Sequence, residues 1–258
     1  MRASCAVAAC VAAVLLLGGC SSEDTAGASA AGPESEASAT PGPEGSFDVE
    51  AALEKAGSAP YSAQVTTRSY VGSTVMAVMA GRMNLGGEAA TGTLTVTATD
   101  SVPEDRRFKA ETILLEDATY TRTLNADGTG GPWQRTGGDS TGADVADYGV
   151  YARLLLDSGP SARKGEEEVD GAPAHRLSGT ITAERLRTLD RRLYDRMRTA
   201  GMEEFACDVW VDASGRVVRF EQWVEMSGRS GRNVVTFGDF GEPEPVSAPE
   251  RAREDPRR

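Results

Sequence analysis

The chain has a single histidine, His175, and only four cysteines in 258 residues. Cys5, Cys10 and Cys20 fall at the N-terminus, which leaves Cys207 alone in the remainder. One thiol cannot close an intramolecular disulfide, so the body of the chain must be held by its core. Scarce histidine and cysteine also exclude the ordinary zinc sets, which draw several ligands from those two residue types. A Ser-His-Asp or Cys-His mechanism would have to use His175 as its base, and no G-x-S-x-G elbow accompanies it. Lysine is nearly absent, represented by Lys55, Lys109 and Lys164. All basic residues number 27 against 39 acidic ones, a formal net charge of −12. Such an excess of acid repels nucleic acid and anionic membrane surfaces, so no nucleic-acid partner is expected. The longest apolar stretch, near the N-terminus, falls short of the roughly 20 residues that a membrane-spanning helix needs.

That stretch has another reading. Arg2 is followed by about a dozen small or apolar residues, the charged and apolar regions of a secretory signal peptide over residues 1–19. It stops at Leu17-Gly18-Gly19-Cys20, which resembles a bacterial lipobox. The resemblance implies that Cys20 becomes the first residue of the mature chain and carries a diacylglyceryl group on its sulfur. Residues 20–46 then form a lipidated tether, with no large apolar residue and many Ser, Ala, Gly, Pro and Glu. Such a segment cannot offset its ordering entropy by burial and is expected to be disordered, with a reach of about 25–30 Å. The polar, Pro-rich residues 242–258 are expected to be a second disordered tail. Residues 47–241 are expected to form one domain, large enough for a sizeable core.

Within that domain Val49, Ala52, Leu53 and Ala56 recur at helical spacing after a capping Ser46 or Asp48. Short runs rich in Val, Thr, Tyr and Ile follow, separated by turn residues, as in an antiparallel meander. Two more helices are expected, over residues 144–160 and 182–201. The second places Leu186, Leu189, Leu193 and Met197 in one stripe, with arginines and aspartates on the other, solvated face. About eleven strands and three helices give an α+β fold, one large curved antiparallel sheet covering helices on one side.

Several strands carry apolar residues where a ligand could lie. The run "TVMAVMAGRM" is apolar on both faces, whereas a strand with one face in water alternates apolar and polar residues. Residues expected to line a cavity are Val75, Met76, Met79, Met83, Leu94, Val96, Ile113, Leu115, Val209, Val211 and Met226. Methionines are favoured because flexible thioethers adapt to variable chains. Val218, Phe220, Val224 and Met226 are expected to share one face, and Cys207 to be a small buried hydrophobe. Glu166, Glu167 and Glu168 read as a solvent-facing edge strand. The loop at 125–131 lacks the later bidentate glutamate of a calcium loop. No cofactor or metal is expected, and a hydrolase built from carboxylates alone is the least favoured reading, since such pairs leave no short signature.

The lipobox, the tether, an N-terminal helix, a long meander, "EVDGAPAHRLSGT", an amphipathic helix, "DVWVDASGRVVRFEQWVEM" and "VTFGDFGEPEPV" follow one another in an order that resembles LppX/LprG-like lipoproteins, within the broader LolA-like carriers. The likeness covers roughly residues 46–246 and contains no catalytic motif. It implies a half-barrel sheet curled around helices and enclosing an apolar cavity for acyl chains. It further implies a non-catalytic lipoprotein anchored at the extracytoplasmic face of the cell membrane through Cys20, with a lipid ligand and an envelope or transporter protein as candidate partners. The alternative is an envelope sensor or protein-interaction module on the same fold, its cavity filled by its own side chains.

Overall fold

The computed structural model describes residues 47–56, 59–87, 89–125, 127–137, 148–226 and 229–254. The expected signal peptide and tether, with Cys20, lie outside the described residues. Helix α1 (Val49–Ala56) leads into a meander of β1 (Tyr61–Val71), β2 (Thr74–Leu85), β3 (Thr91–Ala98), β4 (Lys109–Leu114), β5 (Ala118–Thr123) and β6 (Trp133–Gly137). After α2 (Gly149–Leu156) come β7 (Arg163–Val169), β8 (Ala172–Thr182), α3 (Ala183–Leu186) and α4 (Arg191–Thr199). The chain closes with β9 (Glu204–Asp212), β10 (Val217–Met226), β11 (Arg229–Gly241) and β12 (Ala252–Glu254).

All twelve strands belong to one open sheet, in the order β12-β6-β5-β4-β3-β2-β1-β11-β10-β9-β8-β7. The two meanders spread in opposite directions and meet where β1 pairs with β11, Val65 opposite Phe237 and Arg68 opposite Val234. This is the α+β half-barrel that the sequence leads one to expect. Short hairpins set its register. Val169 pairs with Ala172 across Asp170-Gly171, both with positive φ, the geometry of a two-residue turn that matches strand twist. Asp48 caps α1 by accepting from the Glu50 amide at 2.9 Å, and Val49, Ala52 and Leu53 turn inward.

The helices cover the concave face. A single core cluster joins Leu53, Val65, Leu94, Leu114, Tyr151, Leu155, Leu177, Val209 and Phe237. The principal packing of α1 and α2 on the sheet is against β8 and β9.

Three expectations change. The helix expected over 182–201 is two helices. The chain leaves helical geometry before Asp190, whose side chain accepts from the Leu193 amide at 2.9 Å and starts α4 afresh. Leu189, placed by its spacing in the buried stripe, falls at that break and is 55 % exposed. The helix expected over 144–160 runs from Gly149 to Leu156 and gives way to a turn at Asp157-Ser158, while residues 144–147 lie outside the described residues. Finally, the polar tail expected to be disordered runs against the sheet. Its last described residues form β12, parallel to the edge strand β6.

Candidate functional site

The concave face divides into two regions of different character. Under α2, large aromatic rings fill the space between helix and sheet. Tyr148 meets Phe237 and Phe220 edge-on at 4.9 and 5.3 Å, and Tyr151 stacks on Phe220 at 5.0 Å. Such pairs add to the burial of their own area. The Tyr151 hydroxyl donates to Asp190 Oδ2 at 3.2 Å, so one carboxylate serves both the α4 cap and a core tyrosine. Burial raises the Tyr148 phenol to about 12. It also lifts Tyr151 well above its ordinary value, helped by the negative charge of Asp190. Val209 and Val211 belong to this packed region, on the same side of β9 as Cys207.

Across β2 to β5 the concave side chains are smaller. Met79 stands opposite Val96, and Ala77 opposite Ala98. Val96 in turn stands opposite Ala110, and Leu94 opposite Thr112. Met83, Leu94 and Leu114 join the main core, with Met79 packed against it. Ala77, Val96, Ala98, Ala110 and Thr112 are buried without belonging to that cluster. This is the part of the concave face where the expected lining residues converge.

The remaining expected lining residues sit elsewhere. Register places Ile113 opposite Thr93 and Tyr120 on the convex face, while its neighbour Leu114 turns into the core. A one-residue offset in reading "ETILLE" exchanges the two faces. Leu115 lies in the turn after β4, half-buried, its amide donating to the Ala118 carbonyl at 2.8 Å. The β1–β2 ladder steps by a residue at Ser69/Tyr70, which sets Val75 opposite Tyr70 and leaves Met76 at the bulge. A second bulge, between Val217 and Arg219, buries Val217 in the core and turns Val218 to a small cluster with Trp210. Val218 therefore does not share a face with Phe220 and Val224. Met226 ends β10, and its side chain lies outside the described residues.

One end of the half-barrel opens in a cleft of about 200 Å³. Tyr61, Gly86, Gly149, Arg153, Arg216 and Val217 are among its walls. Arg216 is held there by two hydrogen bonds to Asp212 Oδ2, at 3.0 and 2.9 Å, and lies over the Phe240 ring at 4.1 Å. The inward row of β2, Met79–Met83–Leu85, leads directly to Gly86 at this cleft.

The convex face is polar and aromatic. All three tryptophans lie on it. Arg122 covers Trp133 at 4.5 Å, and Arg176 and Arg219 flank Trp210 at 5.4 and 5.1 Å. The Trp210 indole donates to Glu167 Oε2 at 2.8 Å, so the expected edge strand β7 carries a glutamate engaged by the sheet. Asp208 and Glu221 are buried beneath arginines, Asp208 by Arg176 and Glu221 by Arg219 and Arg232.

Among the described residues, no hydrogen bond ties the His175 ring to an acid or a nucleophile. Both of its ring nitrogens are buried without a hydrogen-bond partner, and the Phe47 ring meets it edge-on at 6.2 Å. Burial, then the Arg163 charge, lowers its pKa, against the opposing charges of Glu166 and Asp48. Burial pushes the Cys207 thiol up to about 12. Among the described residues no group of three or more His, Cys, Asp or Glu is placed to hold a metal ion. No described helix is long and apolar enough to cross a membrane.

Sequence reasoning missed the double role of Asp190 and the docking of residues 242–254. A signal for the first was present, since an aspartate before "RRLYDRM" is an N-cap. The second had none, because its partners Arg82 and Asn84 lie some 160 residues away.

No protein-family model matches the chain. An uncharacterized 31.2 kDa protein from the rplA–rplJ intergenic region of Streptomyces griseus is 28% identical over 105 residues, 38% of this chain and 34% of that protein. The match spans about a third of that relative's length. Among solved structures, the chain is similar to LprF from Mycobacterium bovis, at 14% identity and a TM-score of 0.48, over 78% of this chain and 96% of that one. It is also similar to the lipoprotein LppX from Mycobacterium tuberculosis, at 16% identity and a TM-score of 0.44, over 77% and 96%. For a LolA superfamily protein from Nitrosomonas europaea the figures are 9% and 0.28, over 77% and 95%. At these identities and scores the likeness carries no statement about ligand or activity, and the fold rests on the strand order and register described above.

Proposed function

We propose that this chain is a non-catalytic lipoprotein, anchored at the extracytoplasmic face of the cell membrane through Cys20, that binds or carries a lipid or other apolar ligand on the concave face of its half-barrel. The observation that supports this best is the region around Met79, Val96, Ala98 and Ala110. There small and flexible apolar side chains line a curved sheet away from the aromatic packing under α2. An acyl chain laid along it loses water contact, worth about 0.8 kcal/mol per buried CH₂. The cleft at Tyr61, Arg153 and Arg216 adjoins the same β2 row and suits a polar headgroup.

The test is native mass spectrometry of the domain purified without detergent, with lipid extraction alongside. A co-purifying mass of phospholipid or acylglycerol size, lost when Met79 and Val96 are both replaced by tryptophan, is the expected result. A protein that stays free of adducts after incubation with envelope lipids overturns the reading. The anchor has its own test. Cys20→Ala abolishes labelling by radioactive palmitate; a mature chain that still labels removes the lipobox from the argument.

A second reading, a protein-interaction module with no lipid cargo, is favoured by the ring packing of Tyr148, Tyr151, Phe220 and Phe237, which fills part of the concave face. It gains if the mass remains clean.

A further inference from the structure

Residues 242–254 follow a defined path over the convex face. Soon after β11 ends, the backbone of Glu244 meets the side-chain amide of Asn84. The Glu244 amide donates to Asn84 Oδ1 at 2.8 Å, and Asn84 Nδ2 donates to the Glu244 carbonyl at 2.8 Å. Arg82 Nε donates to Glu244 Oε1 at 2.9 Å. Both of these reading side chains are fixed by other contacts. Asn84 also donates to Thr91 Oγ1 at 2.9 Å, and Arg82 donates to the Asp239 carbonyl at 2.7 Å and to Ser62 Oγ at 2.9 Å. Farther on, Pro249, Glu250 and Arg251 lie with Ile113 and Trp133 around a shallow cleft of about 560 Å³. Trp133 is steadied there by Arg122, which is itself bonded to Glu111 at 2.6 Å. Ala252–Glu254 then pair in parallel with Trp133–Arg135 at the sheet edge.

Each of these contacts is of a kind that any extended peptide can make. A side-chain amide that bonds the N–H and C=O of one residue reads backbone. A sheet edge accepts a strand by backbone pairing. Selectivity comes from the arginine, which asks for a carboxylate, and from the indole, which suits proline. The chain's own segment holds this place lightly. Its ion pair with Arg82 is exposed, and its ladder is three residues long and parallel, whereas the other ladders among the described strands are antiparallel.

We infer that Asn84, Arg82, Ile113, Trp133 and the β6 edge form a peptide-docking track, that residues 242–254 are its displaceable resident, and that the partner it fits is an extended, acidic, proline-bearing segment of another protein. The resident blocks the track by its high effective concentration, so a partner segment binds in competition with it. The track lies on the face opposite the proposed lipid region and does not depend on that reading.

The test uses the full chain and a fluorescent peptide with the sequence of residues 242–254, followed by anisotropy. Glu244→Ala in the chain weakens the resident while the peptide keeps its glutamate. The expected result is a Kd roughly two- to fivefold lower for the Glu244→Ala chain than for the unsubstituted one, the fold-change that loss of an exposed ion pair supports. Adding Asn84→Ala or, separately, Trp133→Ala to the Glu244→Ala chain removes that gain, with thermal melts confirming that each variant is folded. Equal affinity of the unsubstituted and Glu244→Ala chains overturns the inference, as does binding that survives both added substitutions. If the Glu244→Ala chain instead dimerises on sedimentation, the occupant is a second copy, and the assignment of a separate partner fails.

Discussion

Cys207 sits on the concave side of β9 with 1 % of its surface exposed, and its thiol pKa is about 12. Thiolate is therefore scarce at neutral pH, and reagents reach the sulfur only when the domain opens. In a chain where Cys207 is the sole cysteine, labelling by a thiol reagent is expected to follow the global unfolding rate and to accelerate with urea. Rapid labelling of the native protein would contradict this. Cys207→Ser places a hydroxyl among Val209, Phe205 and Leu177 and is expected to cost about 1–3 kcal/mol in urea unfolding. His175 makes an opposite demand on pH. Its native pKa lies below the ordinary value, so the unfolded chain takes up a proton that the native state refuses. Stability therefore falls as pH drops below about 6.5 and levels off only beneath the native pKa. The melting temperature is expected to decline between pH 7 and 5, and His175→Phe to flatten that slope. An unchanged slope would place the acid sensitivity elsewhere.

At the scale of elements, the break between α3 and α4 is a matter of capping. Asp190 bonds the Leu193 amide and the Tyr151 hydroxyl together, so it ties the start of α4 to the aromatic packing under α2. Asp190→Ala removes the cap and orphans a buried phenol, an expected loss of about 1–3 kcal/mol. Tyr151→Phe gives up one hydrogen bond and is expected to cost less. Equal losses would mean that the cap contributes nothing. The turn between β9 and β10 seats α1 by a different device. Gly215 has φ +79, and a Cβ there would stand 2.0 Å from the Ala52 carbonyl oxygen. Gly215→Ala thus combines left-handed strain with a backbone clash, and urea unfolding is expected to show a loss of about 3 kcal/mol or more.

For the whole molecule, the pairing of β1 with β11 decides whether there is one sheet or two half-sheets. Residues 62–71 meet residues 231–241, a sequence separation that spans most of the described domain. Contacts so distant are slow to form, because loop closure must be met before they contribute. A chain ending before β11 leaves β1 and β10 without the strand that lies between them. It is expected to lack cooperative unfolding by circular dichroism, and a cooperative transition in that truncation would show that each meander folds alone.

Much of this was legible along the chain. Alternation fixed the inward faces of β3 and β9, Asp170-Gly171 marked its hairpin, and the spacing of Val49, Ala52 and Leu53 marked α1. These features are local, since period and turn chemistry act over a few residues. The sequence by itself therefore determined most element types and the α+β class. Tertiary structure decided what depends on register and on distant partners. Bulges in β2 and β10 set which side Val75 and Val218 take, and the pairing of β4 put Leu114 rather than Ile113 inside. Asp190 found Tyr151 only through packing, and the polar residues after Gly241 found Arg82 and Asn84 only because the sheet had already brought β2 beside their path. A strand's two faces exchange with a one-residue slip, and a tail gains order only from groups that the fold has assembled, so neither outcome is written in local pattern.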